Sequence, residues 1–127
     1  MVDSFRDLEV WRRGVRFVRD VYRATDTFPP HERFGLTAQI RRAAVSIASN
    51  VAEGRARFST REFARHVSIA RGSVAEVETQ VEIAIELGYL QRSAVENLMQ
   101  ECDELSRMLR TMYQNLSRNS RIAESAG

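Results

Sequence analysis

The chain has 127 residues and a mass of 14.5 kDa, which is the size of one domain. Hydrophobic residues make up 43% and charged residues 28% of it, which excludes a disordered chain and predicts a globular one. A single cysteine excludes an internal disulfide and a multi-thiolate zinc site, and no apolar run is long enough for a transmembrane helix. Because the N-terminus does not resemble a signal peptide, we expect a cytoplasmic protein with no membrane partner.

Charge is unevenly distributed along the chain, and all nineteen basic residues are arginine. Residues 1–75 contain fourteen arginines and eight acidic residues, whereas residues 76–127 contain five arginines and nine acidic residues. This division favours either a partner of opposite charge or self-association that pairs the two halves.

The first predicted helix covers about residues 5–25, with Ser4 as its N-cap. Its apolar residues form two stripes at helical spacing. The stripe expected to face the core of a helical bundle comprises Leu8, Trp11, Val15, Val18 and Tyr22. The second stripe, Val10, Gly14, Phe17 and Val21, adds more apolar surface than one bundle can cover. Val10, Phe17 and Val21 are therefore predicted to contact another subunit.

Pro29 and Pro30 separate the first helix from a second over about residues 33–54, which Gly54 is expected to end as a C-cap. A third helix is predicted over 60–88, because the segment STRE at 59–62 is a capping box and Gly88 follows the last apolar residue. Gly72, in the middle of this helix, costs about 1 kcal/mol relative to alanine, so we expect close packing there.

The fourth helix is predicted over 93–117, after a second capping box at residues 93–96. Residues 118–127 have little left to bury and are expected to fray. Four helices with short connections and an apolar stripe on each predict an all-α, antiparallel up-down four-helix bundle over residues 1–117.

Motifs for catalysis and for metal binding are missing. The chain contains no P-loop, no dinucleotide-binding loop and no nucleophile elbow. His66 follows Glu62 by four residues, whereas di-iron bundles need two Glu-x-x-His motifs. Cys102 falls on the core stripe of the fourth helix, as expected for an inert thiol. We therefore expect no enzymatic activity, no metal and no cofactor.

Arginines recur in two patterns. One face of the first helix carries an arginine stripe at 4-3-4 spacing, formed by Arg12, Arg16, Arg19 and Arg23. A second group surrounds the connection between helices two and three: Arg41, Arg42, Arg55, Arg57, Arg61, Arg65 and Arg71. Clustered guanidiniums match phosphate geometry, so the stripe together with Arg41, Arg55, Arg57, Arg61 and Arg65 is predicted to bind RNA or DNA.

The alternative for these arginines is a solvated helix face, or pairing between subunits with the acidic side of the third helix at Glu78, Glu82 and Glu86. Only two aromatic residues, Phe58 and Phe63, lie among these arginines in the sequence. A platform for stacking bases is therefore not indicated.

Polar residues also occupy one face of the second helix, where a bundle helix is usually apolar. They are Arg42, Ser46, Asn50 and Glu53, and the third helix offers Ser73, Glu76 and Gln80 in a matching stripe. We expect these residues to form a hydrogen-bond network that sets the register of helices or subunits. A ligand site is the alternative.

The segment from Gln39 to Gly54, QIRRAAVSIASNVAEG, resembles the characteristic segment of the four-helix-bundle family named for 23S rRNA intervening sequences. Residues 5–11, FRDLEVW, resemble the opening of that family, and further matches follow in order at 34–37, 70–76 and 86–89. The resemblance implies a homopentameric barrel of four-helix bundles with no established enzymatic activity. It also implies a relationship to the accessory protein of diversity-generating retroelements, a basic pentamer that binds nucleic acid and a reverse transcriptase.

The residues and the resemblance together predict a cytoplasmic, non-enzymatic homo-oligomer, a pentamer by resemblance, that binds RNA or DNA through its arginines. The competing hypothesis is a protein-interaction scaffold whose arginines dock an acidic protein partner.

Overall fold

The computed structural model describes the backbone of residues 4–126 and, except at Asp7, the side chains up to residue 120. Within this range the chain is all-α. Helix α1 covers Glu9–Thr25, α2 covers Leu36–Ala56, α3 covers Thr60–Glu86 and α4 covers Glu96–Ala126. Short 3₁₀ turns precede three of them, at Phe5–Asp7, Pro30–Glu32 and Arg92–Val95.

Helices α1 and α4 begin later than predicted because 3₁₀ turns occupy the predicted first turn, and α2 begins at Leu36 rather than at residue 33. At the other end of the chain, α4 continues through the segment expected to fray, as far as Ala126. Residues 1–3 and 127, which the predicted boundaries include, lie outside the described residues. None of the helices in the described range combines the length and the apolar character that a bilayer crossing requires.

Successive helices pack side by side and run antiparallel. Between α2 and α3, Ser46 contacts Ser73, whereas Asn50, one turn further along α2, contacts His66, two turns earlier on α3. Contacts of α1 with α2, α3 with α4 and α1 with α4 close the bundle. The predicted four-helix fold is therefore present, in up-down order.

The core contains the apolar stripes predicted for α3 and α4. On α3 the fully buried members are Val67, Ala70, Val74, Val77, Val81 and Ala84, and on α4 they are Cys102, Leu105 and Leu109. These stripes keep unbroken 3-4 spacing, so each helix has only one apolar face that it can bury. The core stripes predicted for these two helices are confirmed.

Helix α1 faces the core with its second apolar stripe and not with the stripe that was predicted to do so. Val10, Phe17 and Val21 are 2%, 0% and 0% exposed, whereas Val15 and Tyr22 are 45% and 44% exposed. The assignment of Val10, Phe17 and Val21 to an interface between subunits is therefore wrong. Both stripes have helical spacing, and the tertiary contacts select between them.

The buried face of α1 meets α2 at Gly14. A Cβ atom placed on Gly14 would lie 3.4 Å from Cβ of Ala48 on α2, which is close to the van der Waals limit. With small residues on both helices, the two backbones approach closely and Phe17, one turn later, is carried into the core.

Two of the predicted helix ends have the local geometry expected of them. Ser59 Oγ accepts a hydrogen bond from the Glu62 backbone N–H at 3.2 Å, which caps α3. Gly88 has φ 80°, and beside it the N–H of Tyr89 donates to the carbonyl of Ala84 at 2.8 Å, as in a Schellman motif. The second capping box is not formed, since Ser93 lies inside the 3₁₀ turn before α4.

Glycine positions inside the helices differ from expectation. Gly54 does not cap α2, which continues to Ala56. It is buried instead, and a Cβ there would lie 2.7 Å from Cβ of His66 and 2.9 Å from Cδ1 of Phe63 on α3. Gly72 is exposed, and no atom within 4 Å would meet its Cβ. Close packing within the chain therefore requires a glycine at position 54 and not at position 72.

Candidate nucleic-acid interface

The arginine stripe of α1 lies on the surface, where all four of its members are exposed. Arg12 Nη1 donates to a backbone carbonyl of the preceding 3₁₀ turn at 3.0 Å, and Arg19 Nε pairs with Asp20 at 3.3 Å. On the acidic side of α3, Glu82 forms a two-bond ion pair with Arg92, at 2.8 and 3.0 Å, and not with the stripe. Most of the stripe's charge therefore faces solvent.

Arg13, next to the stripe in sequence, has a structural role instead. Its Nε and Nη2 donate to the two carboxylate oxygens of Glu101 on α4, at 2.8 and 3.0 Å, and Glu104 lies 3.8 Å away. The hydrogen bond that Arg13 donates to Glu101 raises the pKa of Arg13, because it favours the charged guanidinium. This bidentate ion pair joins α1 to α4.

The second group of arginines does not form one surface. Arg41 and Arg42 lie near the start of α2 and Arg55 near its end, about 20 Å away at 1.5 Å per residue. Arg71 faces α4, where its Nε donates to Ser106 Oγ at 3.4 Å. The predicted nucleic-acid residues are thus divided between the two ends of the bundle.

Four of these arginines surround the turn between α2 and α3, and we call them the turn cluster: Arg55, Arg57, Arg61 and Arg65. All but Arg55, which is half-buried, are exposed. Phe58, in the turn itself, is fully exposed. Arg65 pairs with Glu62 at 3.2 Å across an exposed helix turn.

Aromatic side chains also accompany the arginines at the opposite end of the bundle. The Arg41 guanidinium lies 4.3 Å from the ring centre of Tyr22, and that of Arg33 lies 5.2 Å from the ring centre of Phe34. Sequence reasoning missed this pairing because it assigned Tyr22 to the core. The adjacent residues Arg33 and Phe34 in the proline-containing loop were the available signal.

The polar face of α2 forms a network with α3 through two side chains of α3. Ser46 Oγ donates to Ser73 Oγ at 2.5 Å, and Asn50 Nδ2 donates to the Ser46 carbonyl at 2.8 Å. The other end of the Asn50 amide, Oδ1, lies 3.1 Å from Nδ1 of the buried His66. Glu53 Oε2 lies 3.6 Å from the same nitrogen and is mostly exposed. His66 is thus a central member of the network, although it was not predicted.

The other predicted network residues lie at a separate cleft of about 290 Å³, lined by Gln39, Arg42, Ala43, Ser46, Glu76 and Gln80. Gln80 is 8% exposed, and its Oε1 atom has no hydrogen-bond partner among the described residues. Arg42 and Glu53 lie three turns apart on α2, too far for a direct contact. The expected single network is therefore two neighbouring groups.

The sequence model of one protein family, described as 23S rRNA-intervening sequence protein, matches residues 6–111. The match covers all of the first three helices and half of the fourth. The chain belongs to this family. A comparison with functionally curated proteins gave no match.

A solved structure similar to this 23S rRNA-intervening sequence family member is a protein of unknown function from the S23 ribosomal protein family of Bacteroides thetaiotaomicron VPI-5482. The two superpose with a TM-score of 0.75 at 22% sequence identity, over 83% of this chain and 95% of the other. At this identity the similarity establishes a shared fold.

The chemistry available to this 23S rRNA-intervening sequence family member lies in its arginines. Within the described residues, no group of three or more His, Cys, Asp and Glu side chains is placed to hold a metal ion. Cys102 is buried, and its burial raises the thiol pKa to about 12, so the nucleophilic thiolate is scarce near neutral pH. What the surface does offer is guanidinium groups that suit binding of phosphates or carboxylates.

Proposed function

We propose that this protein is a non-enzymatic, cytoplasmic homo-oligomer that binds RNA or DNA through phosphate contacts. The turn cluster and the arginine stripe supply the guanidiniums, with the turn cluster as the principal contact. Such contacts are strong in low salt and carry little sequence preference, because they engage the backbone of the nucleic acid rather than its bases.

The observation that carries this proposal is the charge around the α2–α3 turn. Four arginines gather there, whereas residues 53–65 contain only two carboxylates, Glu53 and Glu62. A protein surface with this excess of guanidinium groups attracts a polyanion and gains affinity from the counterions that the polyanion releases.

Self-association is supported by the outer face of α1. Trp11 and Val18 are only half-buried, and Val15 is 45% exposed, so an apolar strip remains on the surface. A second copy of the chain that covers this strip removes it from water. The family resemblance favours five copies, and a ring would repeat each arginine contact around a bound polymer.

The test is a titration of wild-type protein and an Arg55/Arg57/Arg61→Gln variant with labelled single-stranded RNA and duplex DNA, at two salt concentrations. The binding constant of the wild-type protein should fall as the salt concentration rises. On logarithmic axes the slope should be about −0.9 per contacted phosphate on duplex DNA and about −0.7 per contacted phosphate on single strands. The variant should bind more weakly, and its salt dependence should be shallower by an amount that corresponds to at most about three phosphate contacts per engaged subunit.

A matched control is the Arg71/Arg92/Arg110→Gln variant, which removes the same charge from exposed positions outside the proposed interface. It should retain most of the affinity and slope. If both variants weaken binding equally, only net charge matters and the turn cluster is not an interface. If wild type binds neither polymer at low salt, the proposal is wrong.

A protein partner is the second candidate, and a groove beside the turn cluster favours it. The groove, of about 580 Å³, is lined mainly by Leu8, Phe63, Met108, Met112 and Leu116, with Arg55 and Arg107 among its other lining residues. An acidic amphipathic helix matches this combination of an apolar floor with cationic groups. Replacement of Met112 by Asp should abolish binding of such a partner and leave salt-dependent binding of nucleic acid intact.

A further inference from the structure

A cavity of about 370 Å³ lies where the end of α1, the proline-containing loop and the first turns of α2 meet. Its principal polar and aromatic lining residues are Tyr22, Arg33, Phe34, Thr37, Arg41 and Arg42. It therefore combines three guanidinium groups with two aromatic rings at the opposite end of the bundle from the turn cluster.

Arg41 is held in one orientation by its neighbours. Its Nε donates to Oγ1 of the buried Thr25 at 2.9 Å, and Nη2 donates to the backbone carbonyl of Tyr22 at 3.4 Å. The guanidinium also stacks on the Tyr22 ring, at 4.3 Å from its centre. An arginine fixed in this way loses little conformational entropy when it binds an anion through its remaining N–H groups.

Carboxylates do not neutralise this cavity. None of its lining residues is acidic. Glu32, in the adjoining 3₁₀ turn, is engaged elsewhere, because its carboxylate accepts from the Leu36 N–H at 3.1 Å and from the Tyr89 hydroxyl at 2.9 Å. Arg42 also borders the neighbouring cleft with Glu76, but it forms no hydrogen bond or ion pair with any described residue. The cavity therefore has an unmatched positive charge that suits an anion.

The exposed ring of Phe34 indicates that the ligand of this cavity has an aromatic group as well as a negative charge. Its side chain is 86% exposed, beside the guanidinium of Arg33. A phenyl ring that buries so little of its surface contributes little to folding, whereas its open face can stack on a flat aromatic group. An anion joined to an aromatic ring satisfies both features.

We propose that this cavity binds one unpaired nucleotide of single-stranded RNA or DNA, with the base stacked on Phe34 and the adjacent phosphate held by Arg33, Arg41 and Arg42. The proposal rests on the proposed function and gives it a preference for single strands. A base inside a duplex is covered on both faces by its neighbours and is not free to stack on a side chain. Arg19 and Arg23, which are exposed on α1 beside Tyr22, would contact the following phosphates.

The experiment compares Phe34→Leu with Leu87→Ala, which shortens an exposed apolar side chain that belongs to neither the cavity nor the turn cluster. At position 34, leucine keeps an apolar side chain but removes the ring face. The probes are a single-stranded oligonucleotide with 2-aminopurine, whose fluorescence is quenched on stacking, and a labelled duplex of equal length. Phe34→Leu should lower single-strand affinity about tenfold and reduce quenching, while duplex affinity and melting temperature stay unchanged. Leu87→Ala should leave both probes unaffected.

The outcomes separate the two proposals. If the Arg55/Arg57/Arg61→Gln variant loses binding but Phe34→Leu binds single strands as wild type does, the nucleotide site is wrong and the proposed function stands. If Phe34→Leu weakens duplex and single strand equally, or changes the mass of the oligomer, Phe34 acts through assembly and the site is wrong. If wild type binds neither probe at low salt, both proposals fail.

Discussion

Replacing Gly54 by alanine should destabilise this bundle, whereas replacing Gly72 by alanine should stabilise it. Both glycines lie inside long helices, so the gain in helix propensity is about 1 kcal/mol at either position. The difference between them is steric. The new Cβ at position 54 would meet Cβ of His66 at 2.7 Å and Cδ1 of Phe63 at 2.9 Å, whereas at position 72 it would meet nothing within 4 Å.

The magnitude follows from the atoms that must move. Cβ of His66 is anchored to the backbone of α3, and the backbone carbonyl of Phe63 is a third neighbour at 3.3 Å, so a rotamer change does not relieve the overlap. Inserted atoms in a packed core cost about 1–3 kcal/mol, and this site belongs near the upper end. After the propensity gain, Gly54→Ala should lose about 2 kcal/mol and Gly72→Ala should gain about 1 kcal/mol.

The assay is urea unfolding and thermal unfolding, both followed by circular dichroism at one fixed protein concentration because oligomer stability depends on it. For a chain of this length, about 4 °C per kcal/mol predicts a melting temperature about 8 °C lower for Gly54→Ala and about 4 °C higher for Gly72→Ala. A Gly54→Ala protein as stable as wild type would refute the close approach of α2 and α3. A destabilised Gly72→Ala protein of lower mass in light scattering would place Gly72 between subunits.

Three further outcomes can be measured. Val15→Asp should reduce the mass of the oligomer while the helices remain folded. Phe17→Asp should unfold the bundle, because of these two residues only Phe17 is buried in the core. Equal losses of helical circular dichroism in the two variants would contradict this difference. The hydrogen bond from the Leu36 N–H lowers the pKa of Glu32, so the stabilisation by its carboxylate is present above its unfolded pKa and is lost as the pH falls below about 4. In Glu32→Gln, the melting temperature should therefore depend less on pH between about 3 and 5 than in wild type. Cys102, with its pKa raised to about 12, should react with a thiol reagent at pH 8 only as fast as the protein unfolds, and fast labelling of the native protein would contradict its burial.

Much of the fold follows from local patterns in the sequence. Helices α3 and α4 each carry a single unbroken apolar stripe, so their buried faces are determined before any partner is known. The cap at Ser59 and the left-handed turn at Gly88 involve atoms only a few residues apart, so their geometry is also encoded locally. The arginine stripe of α1 was predictable for the same reason, since a helix places such residues on one face whatever surrounds it.

Tertiary structure alone decided the features that depend on distances between helices. Helix α1 has two apolar stripes of equal periodicity, and packing against α2, where Gly14 meets Ala48, buries the second of them. Gly54 and Gly72 look alike in sequence, and only the position of α3 distinguishes a required glycine from a dispensable one. The pairing of Arg41 with Tyr22, and thus the cavity with Phe34, joins the end of one helix to the start of the next. Periodicity specifies which residues share a face of one helix, but the packing of neighbouring helices specifies what that face meets.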